Sequence, residues 1–178
     1  MKCVLLLCLL PLPVWAACPP EVNRADDRAA LHTGLLNAGS EAEAQRIASA
    51  LWEIWLTAPD AQAQELLDRG MDLRQGFDFA ASEAALDELL SYCPTYPEAH
   101  NQRAFTRFMR GDFEGALVDI DATLSLNPYH FGALSGRVLV LLQQGRATQA
   151  QDALREALKV HPYLRERALL TESPGDDI

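Results

Sequence analysis

Proline recurs in this chain at a fixed interval: Pro94, Pro128 and Pro162 are separated by 34 residues each. Gly111 and Gly145 keep the same interval, each 17 residues before its proline, and Ala116 and Ala150 follow those glycines by five. Gly76 and Ala81 repeat the glycine-to-alanine spacing, with one extra residue before Pro94. Such a period marks a chain built from one supersecondary unit, whose copies bury their apolar faces only against one another.

Each landmark has a physical role. The stretch Pro97 to Arg110 carries no internal glycine or proline and reads as one helix, as does Tyr129 to Gln144 apart from Gly132 and Gly136. Gly111 and Gly145 end those helices, because glycine enters the left-handed region cheaply at a helix C-terminus. A second helix follows each glycine, Phe113 to Leu126 and Ala147 to Val160, and Pro128 and Pro162 stop it. Ala116 and Ala150 let the two helices of a pair approach closely. Thr95 and Glu98, like Ser40 and Glu43, have the spacing of a capping box. Helices of about 14 residues are marginal alone, so Leu117, Ile120 and Leu124, and likewise Leu154 and Leu158, must be covered by neighbouring copies.

Composition agrees with an all-α chain. Hydrophobic residues make up 49% and aromatic residues only 7% of the 178 positions, and the abundance of Ala and Leu favours helices over sheets.

A 34-residue helix–turn–helix with small residues at positions 8 and 20 and proline at 32 resembles the tetratricopeptide repeat. The middle copy, Pro97 to His130, carries Gly111-Asp112-Phe113-Glu114-Gly115-Ala116-Leu117 and Leu126-Asn127-Pro128. Position 8 is Ala104 there and Val138 in the next copy; position 20 is Ala116 and Ala150. The sequence departs from the pattern at position 11, where Arg107 and Leu141 replace an aromatic residue, and at position 4, occupied by His100 and Leu134. In the first copy Gly70 fits position 8 only when counted back from Pro94. Gly39 to Ala44 shows the glycine-to-alanine spacing again, so residues 25–57 resemble a degenerate further copy with Leu51, Ile54 and Trp55 facing the stack. Leu51-Trp52-Glu53-Ile54-Trp55, Tyr92-Cys93-Pro94 and Asn101-Gln102-Arg103-Ala104 are similar to segments of exported proteobacterial repeat proteins.

The resemblance implies a right-handed α–α superhelix. Residues 17–59 form its N-terminal hairpin, 60–162 three repeats, and 163–178 a capping helix with a tail. It also implies a concave groove lined by positions 2, 5, 9 and 12 of each first helix. Those are Gln64, Leu67, Met71 and Arg74 in the first copy, and Glu98, Asn101, Phe105 and Phe108 in the second. The third copy supplies Gly132, Ser135, Leu139 and Leu142. The family's two-carboxylate clamp needs cationic residues and Asn where this chain has Leu67, Met71, Gly132 and Gly136, so that subclass is not expected. Two readings of the groove stand open: a docking face for a peptide or helix of a partner protein, or positions covered by the terminal helices as ordinary core.

Nothing in the sequence carries catalysis. His32, His100, His130 and His161 do not pair at helical spacing, and no HExxH motif, Cys/His cluster, nucleophile elbow or phosphate loop occurs. No metal and no cofactor is expected, and a hydrolase hidden in the fold has no motif to support it. The formal charge of −10, with arginines dispersed among carboxylates, argues against nucleic acid. The expected partner is therefore an unidentified protein, or a second copy of the chain meeting through Phe105, Phe108 and Leu142.

The first sixteen residues read as a leader. Lys2 precedes an apolar run from Cys3 to Leu12, and Val14-Trp15-Ala16 ends in small-residue fashion. The run is too short to cross a ~30 Å hydrocarbon layer, which takes about 20 residues. Cleavage near Ala16 would place the chain in the periplasm, with no membrane insertion of the mature part. An alternative is a lipoprotein signal with acylation at Cys18, although Trp15 stands where that motif has an aliphatic residue. Cleavage leaves Cys18 and Cys93, which either pair in an oxidising compartment or remain as two thiols.

Overall fold

The computed structural model describes residues 18–20 and 24–171. The leader read over residues 1–16 and the tail beyond residue 171 lie outside the described residues. Among those described there is no strand, and eight helices follow in order. They are α1 (Ala25–Leu36), α2 (Glu41–Trp55), α3 (Ala61–Gln75), α4 (Phe79–Tyr92), α5 (Pro97–Arg110), α6 (Phe113–Leu126), α7 (Phe131–Gln143) and α8 (Ala147–Val160).

Local chemistry sets most of the helix starts. Asp60, Asp78 and Asp112 each accept a hydrogen bond from the backbone N–H three residues on, at 2.8, 3.1 and 3.0 Å. His130 does the same through Nδ1, at 3.2 Å from the Ala133 nitrogen. Caps of this kind are each worth about 1 kcal/mol. Ser40 caps α2, and Glu43 Oε2 reaches back to the Gly39 N–H at 2.9 Å. The expected box at Thr95 and Glu98 does not form: α5 starts at Pro97 without a side-chain cap, and Glu98 is drawn inward by buried donors.

Helices α3 to α8 stack as three antiparallel hairpins in a right-handed superhelix, with α3, α5 and α7 adjacent on the inner side. Fully buried Leu67, Leu86 and Leu89 hold the first layers, each contributing about 1.5–3 kcal/mol. Ala104, Ala116, Ile120, Ala133 and Val140 hold the next. Where the sequence departs from the family pattern, charge replaces an aromatic ring. Arg107 donates to Glu83 and to Asp119, and Arg103 grips Asp119 through two nitrogens at 2.9 and 2.6 Å. Burial pushes the Asp119 carboxyl up, but His100, Arg103 and Arg107 outweigh it and hold the group below its ordinary range.

The first repeat keeps the 34-residue register throughout, which the sequence had placed one residue off. Phe77, not Gly76, takes the left-handed turn: φ is 62° at Phe77, 85° at Gly111 and 71° at Gly145, and −76° at Gly76. Counting on from Phe77, the small residue opposite Gly70 is Ser82 rather than Ala81. Ser82 is fully buried and its hydroxyl donates to the Gly70 carbonyl at 2.7 Å. A Cβ on Gly70 would lie 2.7 Å from Leu86 Cγ, so this contact requires glycine.

The α1–α2 hairpin does not extend the stack in front of α3. It folds back onto the start of α7 and onto α8, sharing a core of Leu35, Leu51, Trp55, Phe131, Leu134 and Ala157. Trp55 lies on the His130 ring at 4.1 Å, and Trp52 meets Phe131 edge-on at 5.5 Å. Tyr163 Oη donates to the Ala38 carbonyl at 3.2 Å, and Arg167 pairs with Glu41 at 2.8 Å. The expected C-terminal capping helix is a 3₁₀ segment, Arg165–Leu169, anchored by buried Leu164. Cys18 is disulfide-bonded to Cys93 across 75 positions, tying the segment before α1 to the core of the first repeat.

Candidate functional site

The inner faces of α3, α5 and α7 enclose a trough of about 320 Å³. Of the twelve positions expected in a groove, Arg74, Asn101, Phe105, Phe108, Gly132, Ser135 and Leu139 line it. Five do not. Gln64 accepts the Ala58 N–H at 2.9 Å, and Glu98 is buried. Leu67 is wholly buried in the core that holds Cys93 and Ala99, Met71 packs on that same core, and Leu142 lies half-buried outside the trough. The shift follows from the geometry of the first repeat, whose N-terminal half is closed off by Leu56, Ala58 and Tyr96 instead of facing a free surface.

Phe105 and Phe108 stand on one face of α5, one turn apart, and Leu139 faces them from α7. Phe105 remains 48% exposed, whereas Phe108 leans on Phe113 at 5.9 Å between ring centroids. Arg74 reaches from α3 beneath the Phe105 ring, 4.6 Å from its centroid, and donates to the Gln102 carbonyl at 3.3 Å. Among the described residues it makes no ion pair. Burial lowers the pKa of its guanidinium, and the charge of Glu98 works in the opposite direction. A cation held under an aromatic ring in a dry floor keeps its charge available to an incoming group.

Glu98 closes the floor. It is 1% exposed, and its Oε1 accepts from Asn101 Nδ2 at 3.1 Å and from Gln102 Nε2. Its Oε2 accepts from His130 Nε2 at 2.8 Å. Since His130 Nδ1 already accepts the Ala133 N–H, the ring hydrogen sits on Nε2. The Glu98 carboxylate is thus satisfied within the protein, so it is a structural element and not a free ligand group. Gln102 Oε1 stays buried without a partner.

The hairpin covers one end of the trough and leaves the other open. Trp52 forms the covered end: a Cβ on Gly132 would come within 2.5 Å of its ring, so glycine is what admits the indole. Sequence reasoning did not place Trp52, Gln102 or Gly136 in the lining. The available signal was a pair of glycines, Gly132 and Gly136, on an otherwise apolar helix, marking space that another element fills.

Among the described residues no group of three His, Cys, Asp or Glu side chains could hold a metal ion. No helix among them is long and apolar enough to cross a membrane.

No protein-family model matches the chain. Over 77 residues it is 35% identical to a TPR repeat-containing protein of Rhizobium etli, covering 43% of this chain and 38% of that protein. Over 117 residues it is 26% identical to tetratricopeptide repeat protein 36 of Xenopus tropicalis, covering 64% of this chain and 58% of the relative. The chain therefore spans less than two thirds of the length of either relative.

Proposed function

Starting from a chain that is a tetratricopeptide-repeat protein, we propose that it is a non-catalytic scaffold that holds a short segment of a partner protein in the open part of its trough. The observation that carries this reading is the lining itself. Phe105, Phe108 and Leu139 offer apolar contact beside a buried guanidinium with no ion-pair partner among the described residues. Such a site favours a peptide that places an apolar side chain between the rings and an acceptor near Arg74. Trp52 limits the length of peptide that can lie along the inner face.

The scaffold works outside the cytoplasm in this proposal, after removal of residues 1–16. Support comes from the Cys18–Cys93 bond, which requires an oxidising compartment to persist. A sulfur held in that bond is also unavailable for acylation, which favours release over a lipid anchor at Cys18.

A photo-crosslinking residue at Phe105, compared with one at Val118 on the outer side, tests the groove. Val118 is 65% exposed and serves as a control for accessibility. Crosslinks to one defined protein from envelope extract at position 105, and none at 118, are the expected result. Equal labelling at both sites would sink the reading. Crosslinks only to the chain itself, with a dimer by light scattering, would replace it with self-association.

A further inference from the structure

Two polar groups in the trough have needs that the protein itself does not meet. The first is Arg74, which is 9% exposed and carries the five N–H donors of a guanidinium. Among the described residues it makes one hydrogen bond, from Nη1 to the Gln102 carbonyl at 3.3 Å, and no ion pair. The charge of Glu98 acts on it, but the two Glu98 oxygens are turned to Asn101, Gln102 and His130.

The second group is Gln102 Oε1. Gln102 lines the trough, yet this oxygen is buried without a hydrogen-bond partner. The amide cannot turn over to relieve it. Its Nε2 donates to the Glu98 carboxylate, and exchange would set two acceptors face to face. The two groups adjoin, since Arg74 is bonded to the backbone of Gln102 itself. A fork of cationic donors beside a lone acceptor calls for a carboxylate and an N–H held close together. Phe105 and Leu139 around them call for hydrocarbon next to that pair.

We infer that the segment held in the trough is anchored by an internal aspartate beside a large aliphatic or aromatic residue. Its carboxylate sits on Arg74, its backbone N–H donates to Gln102 Oε1, and the apolar neighbour lies against Phe105 and Leu139. This rests on the scaffold reading and adds to it the chemistry of the partner's motif. Aspartate suits both polar groups because its short side chain keeps the carboxylate near the local backbone N–H groups, as in Asx turns. The extra methylene of glutamate moves the backbone away from Gln102. A terminal carboxylate sits directly on its Cα and has no stem, so the whole last residue would have to pass the Phe105 ring to reach Arg74.

The test uses the whole chain, labelled with nitrogen-15, and three peptides. They are acetyl-Leu-Asp-Leu-amide, acetyl-Leu-Asn-Leu-amide, and acetyl-Leu-Leu with a free terminal carboxylate. The Phe105 backbone and Gln102 side-chain amide resonances should shift saturably with the aspartate peptide. The asparagine peptide should bind at least about tenfold more weakly, as loss of a charge-assisted hydrogen bond implies, and the free-ended peptide should also bind more weakly. Arg74→Gln should bring the aspartate peptide down to the affinity of the asparagine one. The inference is overturned if the aspartate peptide moves neither resonance, if either other peptide binds as tightly, or if Arg74→Gln keeps the preference for aspartate. Equal binding of all three peptides would overturn it while leaving the scaffold reading intact, since that reading stands or falls on crosslinking at position 105. The comparison of peptides on the unmodified protein decides the matter even if the variant fails to fold.

Discussion

The hairpins α3–α4, α5–α6 and α7–α8 and the hairpin α1–α2 are the same supersecondary unit, yet they are held in different ways. In the three repeats, helices meet through small residues and leucines recurring at the repeat interval, so each layer offers the next a similar surface. The α1–α2 pair has equally regular helices, but its largest contact side chains are two indoles, which join Leu35 and Leu51 in the docking core and fit the His130–Phe131–Gly132 corner of α7. Many moderate contacts build the stack, and a few large ones dock the hairpin. Repeated secondary structure therefore does not ensure repeated packing. The shape of the side chains at the contact decides where a hairpin goes, and here it goes across part of the groove.

Removing the largest of those contacts gives the strongest test. Trp55→Ala deletes a ring that is 6% exposed and should cost about 3–5 kcal/mol. If the hairpin is a separately docked unit, native-state hydrogen exchange will show that loss in the amides of α1 and α2. Those of α5 and α6 should keep their protection. Loss of equal size in both would make hairpin and stack one cooperative unit, and the distinction drawn above would fail.

Acid should produce a smaller, graded version of the same separation. At the hairpin contacts, burial lowers the pKa of His32; for His161 burial and then Arg167 lower it, against Glu166. A histidine with a depressed folded pKa binds fewer protons than in the unfolded chain. Its contribution is therefore complete above about 6.5 and declines as the pH falls through the folded value. In the stack Asp60 and Asp119 are the depressed groups, and their contribution persists until the pH falls below the ordinary carboxylate value of about 3.9. Between roughly pH 6 and pH 4, tyrosine and tryptophan fluorescence should report loosening of the hairpin while far-ultraviolet dichroism of the stack holds. Simultaneous loss of both signals would refute the assignment of separate titrating groups to the two regions.

How much of this could be read from the sequence differs between the same two regions. The 34-residue interval located helices α5, α6 and α8 to the residue, because proline and glycine act on the backbone of their own element. The bounds of α7 shifted inward to Phe131 and Gln143 because His130 is spent as its cap. Glu98 also escaped the local pattern. Its spacing from Thr95 suits a capping box, but His130, 32 residues on at the far end of the same copy, competes for the carboxylate and wins. The groove was legible at Asn101, Phe105, Phe108, Ser135 and Leu139, where the repeat register alone sets the facing. It was not legible at Leu67 and Met71, because the chain that buries that side of the first repeat depends on how Ala58 and Tyr96 pack. Tertiary fit of this kind leaves no periodic mark.

The smallest expected effect concerns the one turn in the stack that breaks the local rule. Phe77 occupies the left-handed position that glycine fills at Gly111 and Gly145, and a side chain there costs about 1–2 kcal/mol. Its ring is 73% exposed and meets the Phe79 ring edge-on, 6.1 Å away, so little packing offsets the strain. Phe77→Gly relieves that strain but loses about 0.5–1 kcal/mol to the greater freedom of glycine in the unfolded chain. The net change should be a stabilisation of about 0.5–1 kcal/mol, seen as a higher urea midpoint with an unchanged slope. Gly111→Ala should shift the midpoint the other way, since a Cβ there meets no neighbour within 4 Å and only the backbone resists it. A Phe77→Gly protein less stable than the parent would mean that the ring supports α4 through Phe79, and the three turns would then not be equivalent.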